Sequence, residues 1–296
     1  MEIFKCIGND SSGVPQSMLD NLGIDFEDAN KEALKMAELS KEISKEMDML
    51  YCVVPFCHTT ESEAFGSKVV FDAKAGNRIR TPWITTKEDL DKIEKVDISK
   101  GRIHEVIEAI KILKEQGEKV CLDVTGPITV ATSVVDNNLF YKLVRKDRSA
   151  IEKLLEIVED CTIRYIESAV EAGVDLISFA DPAGTFDLVG PKVYREVAGP
   201  ATMNIFEAVK DKLGDAVVHV CGKTSTSLEE VELLSSQKIP VVGDRYTESI
   251  ENYRVSLKKG VGLDLCLGSG KFIGHWCIQR NRKDDCVVRL DRWVRS

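Results

Sequence analysis

The feature that most constrains this chain is a regular alternation of short apolar runs with longer amphipathic stretches. Four runs are rich in β-branched and aromatic residues and are bounded by proline, glycine or aspartate: 50–56, 119–125, 175–181 and 216–222. Such runs are typical of buried strands. Apolar strands that alternate with helices predict a parallel sheet covered by helices.

The stretches between these runs are predicted as helices, since apolar residues recur in them at helical spacing. They are residues 27–46, 102–116, 148–172 and 191–213. The last stretch is predicted as two pieces, because Pro191 and Pro200 each suit the first turn of a helix and not its interior. Gly173 follows the third stretch, as a helix-terminating glycine does.

Both a closed barrel and an open doubly wound sheet fit this alternation, but the dinucleotide-binding glycine fingerprint of the open sheet is absent. Only 74 of the 296 residues follow Gly222, whereas four more strand–helix units would need about 120. Candidate strands there are 239–242, 261–266 and 271–277. We therefore predict one α/β domain over 1–296, a TIM (β/α)8-type barrel abbreviated in its C-terminal half, with an N-terminal helical cap over 1–45.

Composition and charge narrow the classes of function. With 40 basic and 49 acidic residues, a net charge of −9 and no basic stripe, the chain is not expected to bind nucleic acid. No membrane association is expected, because no apolar run approaches the ~20 residues that span a bilayer and the first residues lack a secretory h-region. Nine scattered cysteines form no disulfide framework, which favours a reducing, cytoplasmic location.

The most informative motif is His219-Val220-Cys221-Gly222, at the end of the fourth predicted strand. Residues two apart on a strand project from the same face, and sites in parallel α/β proteins are built at the C-terminal ends of strands. Imidazole and thiolate are both zinc ligands. The pair is therefore interpreted as two zinc ligands, against the alternative of a packed cysteine beside a hydrogen-bonded core histidine.

A second pair, His275-Trp276-Cys277, stands at the end of what is predicted as the last strand. In a closed barrel the strand ends converge on one mouth, so Cys277 can approach the first pair. Three protein ligands would leave one zinc position open for catalysis, whereas a fourth from His275 would close the site and make it structural. Cys266 is a rival third ligand that ranks below Cys277.

Six segments between about residues 45 and 223 add a recognisable pattern. They are 55–66 (PFCHTTESEAFG), 125–127 (TGP) with the ITVAT that follows, 171–177 (EAGVDLI), 180–183 (ADPA), 190–192 (GPK) and 219–224 (HVCGKT). In this order they resemble the uroporphyrinogen decarboxylase superfamily, and more closely its branch of methylcobamide:coenzyme M methyltransferases. The resemblance implies a TIM barrel and a zinc signature of H-x-C followed much later by one cysteine, hence His219, Cys221 and Cys277 as ligands.

The chain departs from the superfamily pattern in two places. The arginine-rich N-terminal motif that grips porphyrin carboxylates is absent, and residues 1–45 are acidic and lysine-rich instead. Decarboxylation of a tetrapyrrole is therefore disfavoured, because paired carboxylates are best held by arginine forks. The short C-terminal part leaves the identity of the third zinc ligand open.

The resemblance implies a methyltransferase that moves a methyl group from a methylated corrinoid, carried by a small partner protein, to a thiol such as coenzyme M that Zn²⁺ activates. Asp181 ends the third predicted strand and is expected to orient a ligand imidazole or the substrate, with capping of the following turn as the alternative. Three other functions stay open: methyl transfer to a pterin such as tetrahydrofolate, a uroporphyrinogen decarboxylase-like reaction on a tetrapyrrole, and a non-catalytic barrel with a closed structural zinc site.

Overall fold

The computed structural model describes residues 13–240, 271–276 and 286–292. The strands in these ranges are β1 Tyr51–Val54, β2 Lys68–Val70, β3 Arg78–Thr81, β4 Lys119–Thr125, β5 Leu176–Ala180, β6 Val217–Cys221, β7 Leu234–Pro240, β8 Phe272–Trp276 and β9 Cys286–Arg292. The α-helices are α1 Gln16–Leu22, α2 Phe26–Lys31, α3 Ala33–Glu46, α4 Thr60–Ala64, α5 Lys87–Leu90, α6 Gly101–Glu115, α7 Pro127–Val134, α8 Asn137–Lys146, α9 Arg148–Glu171, α10 Phe186–Val189, α11 Pro191–Val193, α12 Gly199–Val209 and α13 Gly222–Glu230. A 3₁₀ turn, Pro182–Gly184, follows β5, and a π-turn, Tyr194–Ala198, joins α11 to α12.

The main sheet has the strand order β1-β4-β5-β6-β8-β9-β7. The first five of these strands are parallel, and β9 runs antiparallel to both of its neighbours. Strands β2 and β3 form a separate antiparallel pair. Parallel strands covered by helices are the α/β arrangement that the sequence predicts, while closure of the sheet into a complete barrel stays a prediction.

Most of the predicted elements are confirmed. The four apolar runs form β1, β4, β5 and β6, and the predicted strand at 271–277 forms β8 beside β6. The helices predicted at 102–116 and 148–172 are α6 and α9, and Gly173 follows α9 with a φ of +93°. The predicted strand at 261–266 lies outside the described residues.

The prediction of two helical pieces with Pro191 and Pro200 in their first turns is confirmed, but a π-turn joins the pieces. The chain stays helical from α11 into α12 instead of breaking, because the N–H of Gly199 bonds the carbonyl of Tyr194 five residues earlier in the π-turn. Such a turn shifts the hydrogen-bond register just ahead of Pro200, which has no N–H to donate. The proline therefore follows a bulge in a continuous helix.

The strand predicted at 239–242 also begins earlier than expected. Strand β7 starts at Leu234 and pairs with β9 along its whole length. Its polar segment, 235–238, is partly or fully exposed. A half-solvated strand of this kind lacks the continuous apolar run by which the buried parallel strands are recognised.

One face of the parallel sheet is apolar and packs beneath the helices. The ring of Phe179 in β5 lies 4.9 Å from that of Phe206 in α12, and Phe206 lies 5.0 Å from Phe272 in β8. Register partners of Phe179, such as Val124 and Val220, share this face. They are fully buried, so this side of the sheet is the main hydrophobic core.

The opposite face carries the polar residues. Asp123, Ser178 and His219 are register partners on β4, β5 and β6, and they alternate with the apolar positions of the helix-covered face. Because the polar side chains all project from one face, any site built on these strands lies on the side away from the helices.

The N-terminal helices form a smaller apolar cluster against this framework. Met18, Leu19 and Phe26 are buried together with Leu39 of α3. The hydroxyl of Ser40 in α3 donates to the carbonyl of Val53, which ties the helix to β1. The role of residues 1–45 as a barrel cap stays a prediction. Within the described part of the chain, none of the helices combines the length and apolar character needed to cross a membrane.

Candidate functional site at the carboxyl end of β6

His219 and Cys221 lie two residues apart on β6 and project from its polar face. The imidazole of His219 is 1% exposed, whereas Cys221 at the end of the strand is half-buried. Cys221 is also the N-cap residue of α13, which starts at Gly222. The positive end of a helix dipole stabilises negative charge, so this position suits a thiolate.

Strand β8 pairs with β6 in the sheet and is also bonded to α13 through one serine. The hydroxyl of Ser225 in α13 accepts the backbone N–H of His275 at 2.8 Å and lies 3.2 Å from the carbonyl of Cys221. The neighbouring Gly274 has no side chain, and a Cβ there would lie only 2.8 Å from that of Ser225. The backbone of Cys221 pairs with Trp276, the last described residue of β8.

The structure describes only some of the predicted zinc ligands. His219 and Cys221 share one face, as predicted, but Cys277 and Cys266 lie outside the described residues. The Nε2 atom of His275 lies 2.8 Å from a carboxylate oxygen of Glu229 in α13, and His275 has a φ of +69°. The imidazole of His275 is thus turned toward a helix carboxylate.

The described residues supply part of a metal site. Within them, no three His, Cys, Asp or Glu side chains are grouped closely enough to hold a metal ion. His219 and Cys221 contribute two donors of the types that zinc prefers. A three-ligand site therefore depends on a further donor from the rest of the chain.

Asp181 lies at the carboxyl end of β5 and is 1% exposed. Its carboxylate accepts hydrogen bonds from the backbone N–H groups of Ile128 and Thr129 at 3.1 and 2.8 Å, and from the Thr129 hydroxyl at 2.6 Å. The N-cap residue of α7 is Gly126, which has no side chain to accept these donors. Asp181 therefore caps α7 from the neighbouring strand, whereas capping of its own following turn was the expected alternative.

The surroundings of Asp181 explain two glycines. A Cβ on Gly126 or on Gly184 would overlap the side chain of Asp181. Burial raises the pKa of Asp181 above its ordinary value, while the hydrogen bonds from Thr129 and Ile128 oppose that rise. The predicted role of this carboxylate toward a ligand or substrate stays a prediction.

Sequence reasoning missed two carboxylates, Asp123 on the polar face of the sheet and Glu61 in α4. Asp123 is partly exposed in the middle of β4, and burial raises its pKa, while His58 and a hydrogen bond from Ser178 lower it. Glu61, in the α4 segment after β1, is buried and accepts hydrogen bonds from the N–H and hydroxyl of Thr125. Burial also raises the pKa of Glu61. The signal for Asp123 was available, since a charged residue interrupts an otherwise apolar strand.

A buried arginine organises the loop after β1. The guanidinium of Arg102 lies 2.6 Å from Glu63, 2.9 Å from the Cys57 sulfur and 2.9 Å from the Thr60 hydroxyl. Its side chain is 3% exposed. No sequence signal marked Arg102, because its partners lie about 40 residues away along the chain. The cluster fixes the loop that carries Glu61.

Comparison with known proteins supports the family. The sequence model described as uroporphyrinogen decarboxylase (URO-D) matches residues 13–261. The chain belongs to the uroporphyrinogen decarboxylase family. This family member is 31% identical over 214 residues to the methylcobamide:CoM methyltransferase MtbA of Methanosarcina mazei, an alignment that covers 70% of this chain and 62% of the relative. It is 29% identical over 223 residues to the methylcobamide:CoM methyltransferase MtaA of Methanosarcina barkeri, covering 72% and 63% respectively.

A solved structure supports the fold of this family member. A methyltransferase from Methanosarcina mazei superposes with a TM-score of 0.62 at 25% identity, covering 72% of this chain and 64% of that one. Together with the family match, this likeness shows an α/β TIM-barrel-like fold. The chain spans about three fifths of the length of the curated methyltransferases that it matches.

Proposed function

We propose that this chain transfers a methyl group from a methylated corrinoid to a thiol bound at a zinc ion, with His219, Cys221 and Cys277 as the metal ligands. The observation that carries the proposal is the placement of His219 and Cys221 on one polar face at the carboxyl end of β6. The similarity to proteins named methylcobamide:CoM methyltransferases supports the reaction type.

The donor set fits the proposed metal. One imidazole and two thiolates would leave the fourth tetrahedral position of zinc open. Bound zinc would supply the chemistry of holding the acceptor as a thiolate, the nucleophilic form of a thiol. His219 supplies a nitrogen from a buried strand position, and Cys221 supplies sulfur at the N-terminus of α13.

The position of β8 supports Cys277 as the third ligand. This residue follows Trp276, whose backbone pairs with that of Cys221. A sulfur contributed from the end of β8 would join two neighbouring strand ends, where parallel α/β folds build their sites. Asp181 would support this site without touching the substrate. Its hydrogen bonds fix the turn between β4 and α7, at the carboxyl ends of the strands.

The proposed reaction is balanced without a further reactant. A bond forms between the acceptor sulfur and the methyl carbon while the carbon–cobalt bond breaks, and cobalt keeps the bonding electron pair. The thiol proton passes to solvent. We propose that a small separate protein carries the corrinoid, and that coenzyme M or another small thiol is the acceptor. We also propose a reducing, cytoplasmic setting, which the scattered cysteines of the sequence favour.

The position of His275 favours an open site over a closed structural one. Its Nε2 atom lies 2.8 Å from Glu229, so the residue that would complete a four-ligand site already faces another partner. The family also includes uroporphyrinogen decarboxylases, such as that of Roseobacter denitrificans, which is 25% identical over 235 residues. Transfer to a pterin and decarboxylation of a tetrapyrrole are therefore outcomes that the test must distinguish.

The test begins with the zinc content of protein purified without added metal. Methylcobalamin is then supplied with a panel of thiols, and loss of its absorbance and formation of the methyl thioether are followed. We expect zinc at one ion per chain and methyl transfer to at least one thiol. Transfer to tetrahydrofolate alone, or decarboxylation of uroporphyrinogen, would replace the proposed function.

The metal ligands are tested with a matched pair of histidine variants. His219→Ala is expected to lose zinc and activity, whereas His104→Ala, at a half-buried position on α6, keeps both. Retention of zinc and full activity by both His219→Ala and Cys221→Ala would overturn the zinc proposal. Loss of zinc in His275→Ala as complete as in His219→Ala would favour the closed site.

A further inference from the structure

The polar face of the sheet carries a continuous row of hydrogen-bonding residues at the level of His219. Asp123 on β4 is the register partner of Ser178 on β5, and Ser178 is the register partner of His219 on β6. Register partners on adjacent parallel strands project from the same face and lie about 5 Å apart. The three side chains thus form one row across three strands.

The layer directly below this row is apolar or weakly polar. Its members are Val53, Cys121, Leu176 and Val217, which are register partners on β1, β4, β5 and β6. Polar groups therefore do not line this whole face, but reach from Asp123 to His219 at one level. Placing the carboxylate of Asp123 among buried side chains costs free energy unless hydrogen bonds or ion pairs offset that cost.

The hydrogen bond between Ser178 and Asp123 has a fixed direction. A carboxylate accepts, so the hydroxyl of Ser178 donates its hydrogen to Asp123. A hydroxyl that donates its hydrogen can still accept a hydrogen bond through its oxygen lone pairs. The next residue in the row is His219, whose ring carries one N–H group in its neutral form.

We propose that Asp123 is a positioning residue that acts through Ser178 to orient the imidazole of His219 for metal binding. Asp123 directs the hydroxyl of Ser178, the oxygen of Ser178 accepts the N–H of the His219 ring, and the other ring nitrogen is left to bind the metal. Partners of this kind fix the tautomer and orientation of ligating histidines and raise their affinity for metal. The inference rests on the proposed function, since it assumes a metal at His219.

The sheet fixes the distances between the residues of this row. Strands β4 and β5 are held in register by a ladder of five residue pairs, from Cys121 with Leu176 to Thr125 with Ala180. Ser178 is 5% exposed and His219 is 1% exposed, so neither side chain has much freedom to move. A rigid sheet thereby fixes the spacing along the row more firmly than a loop would.

The experiment compares metal affinity in five variants of the full chain, of which Ser178→Thr is the fifth. Asp123→Asn keeps the size of the side chain but removes the full acceptor, and Ser178→Ala removes the hydroxyl. Ser40→Ala removes another buried serine hydroxyl, and Asp175→Asn changes an aspartate at the opposite end of the sheet. Zinc affinity is measured by competition with a chromogenic chelator, and the visible spectrum of the Co²⁺-substituted protein reports ligand geometry.

We expect Asp123→Asn and Ser178→Ala to weaken zinc binding about 10–100-fold and to change the Co²⁺ spectrum. The two control variants should match the wild type, and Ser178→Thr should restore binding because it keeps a hydroxyl. Unfolding midpoints of the metal-free variants establish that each is folded. If Ser178→Ala fails to fold, the comparison of Asp123→Asn with Ser178→Thr decides the matter.

Two failures are distinguishable. If the wild-type chain binds no zinc, the proposed function falls and the positioning role falls with it. If the wild type binds zinc but Asp123→Asn and Ser178→Ala bind it equally well with an unchanged Co²⁺ spectrum, the positioning role alone is overturned.

Discussion

The ends of β5 and β6 are neighbours in the sheet but use their polar side chains in opposite ways. At the end of β5, Asp181 is 1% exposed and its carboxylate is bonded to the first turn of α7. At the end of β6, Cys221 is half-buried at the start of α13. The first side chain serves another element of the fold, whereas the second faces the edge of the site.

A buried structural carboxylate and a candidate metal ligand differ in where their hydrogen-bonding capacity is used. A group whose hydrogen-bonding capacity is used within the protein contributes chiefly to stability, and its removal leaves buried donors unpaired. A donor at a partly exposed strand end contributes little to stability and can bind a ligand. We therefore expect two classes of substitution. Those at buried hydrogen-bonded groups should lower stability, and those at the end of β6 should weaken metal binding.

The largest loss of stability is expected at a third strand end, in the cluster of Arg102. Replacing Arg102 by methionine leaves Glu63 without its guanidinium and Thr60 without its donor. Removal of one partner from a buried ion pair typically costs about 3–5 kcal/mol. Urea unfolding measures the change.

The matched control for Arg102 is Arg148→Met. Arg148 also pairs with a glutamate at 2.6 Å, but its side chain is 32% exposed. Exposed pairs contribute about 0–1 kcal/mol, so this variant should remain close to the wild type. An equal effect in both variants would show that burial of Arg102 does not set its contribution.

The next largest effect is expected for Asp181→Ala. The substitution leaves the N–H groups of Ile128 and Thr129 and the hydroxyl of Thr129 without their acceptor. We expect the free energy of unfolding to fall by about 3 kcal/mol, because buried unsatisfied groups cost about 1–3 kcal/mol. Asp181→Asn keeps one oxygen as acceptor and should lose about half as much. Wild-type stability in Asp181→Ala would contradict the capping role.

The strands could be predicted because both faces of β4, β5 and β6 are shielded, so their sequences are nearly continuous apolar runs. The hairpin of β2 and β3 could not, since every residue of Lys68–Val70 and Arg78–Thr81 is partly or fully exposed and these strands carry no such signal. For the same reason β7 was expected only at its apolar end. Exposed strands depend on pairing partners that are distant along the chain.

The site was only partly predictable. The shared face of His219 and Cys221 follows from the two-residue period of a strand, which is local. The bonds of Asp181 to α7 and the Glu229 contact of His275 depend on tertiary packing, which no local pattern encodes. The row from Asp123 to His219 depends on strand register. The one local signal, a charged residue within an apolar run, does not assign the neighbours of Asp123.

A partly buried carboxylate on α9 makes the free energy of unfolding depend on pH. Glu159 of α9 is partly buried and accepts one hydrogen bond, from Asn204 of α12 at 3.1 Å. Burial raises its pKa from 4.5 to about 7, with a further rise from Glu156 and a decrease from Asn204. Because the folded protein holds this proton more tightly than the unfolded chain does, stability falls as pH rises from 4.5 through 7.

Glu159→Gln should remove that dependence. Allowing for solvent screening at a partly exposed side chain, we expect a gain of about 1 kcal/mol at pH 8 and almost none at pH 4. Thermal unfolding at both pH values measures the difference, with Glu152→Gln, at an exposed position of the same helix, as the control. A gain of the same size at both pH values would exclude titration of Glu159 as the cause.

The smallest effect on stability is expected at the end of β6, where Cys221→Ser replaces the sulfur by oxygen. Serine is a favourable N-cap residue, so α13 keeps its first turn. In the presence of a chelator, the free energy of unfolding should change by no more than about 0.5 kcal/mol, as at other positions outside the core. Zinc binding should nevertheless be lost or greatly weakened, because a neutral hydroxyl is a poor replacement for a thiolate ligand. If Cys221→Ser instead destabilised the metal-free protein as much as Asp181→Ala does, Cys221 would belong to the architecture of the fold, and the two neighbouring strand ends would no longer differ in kind.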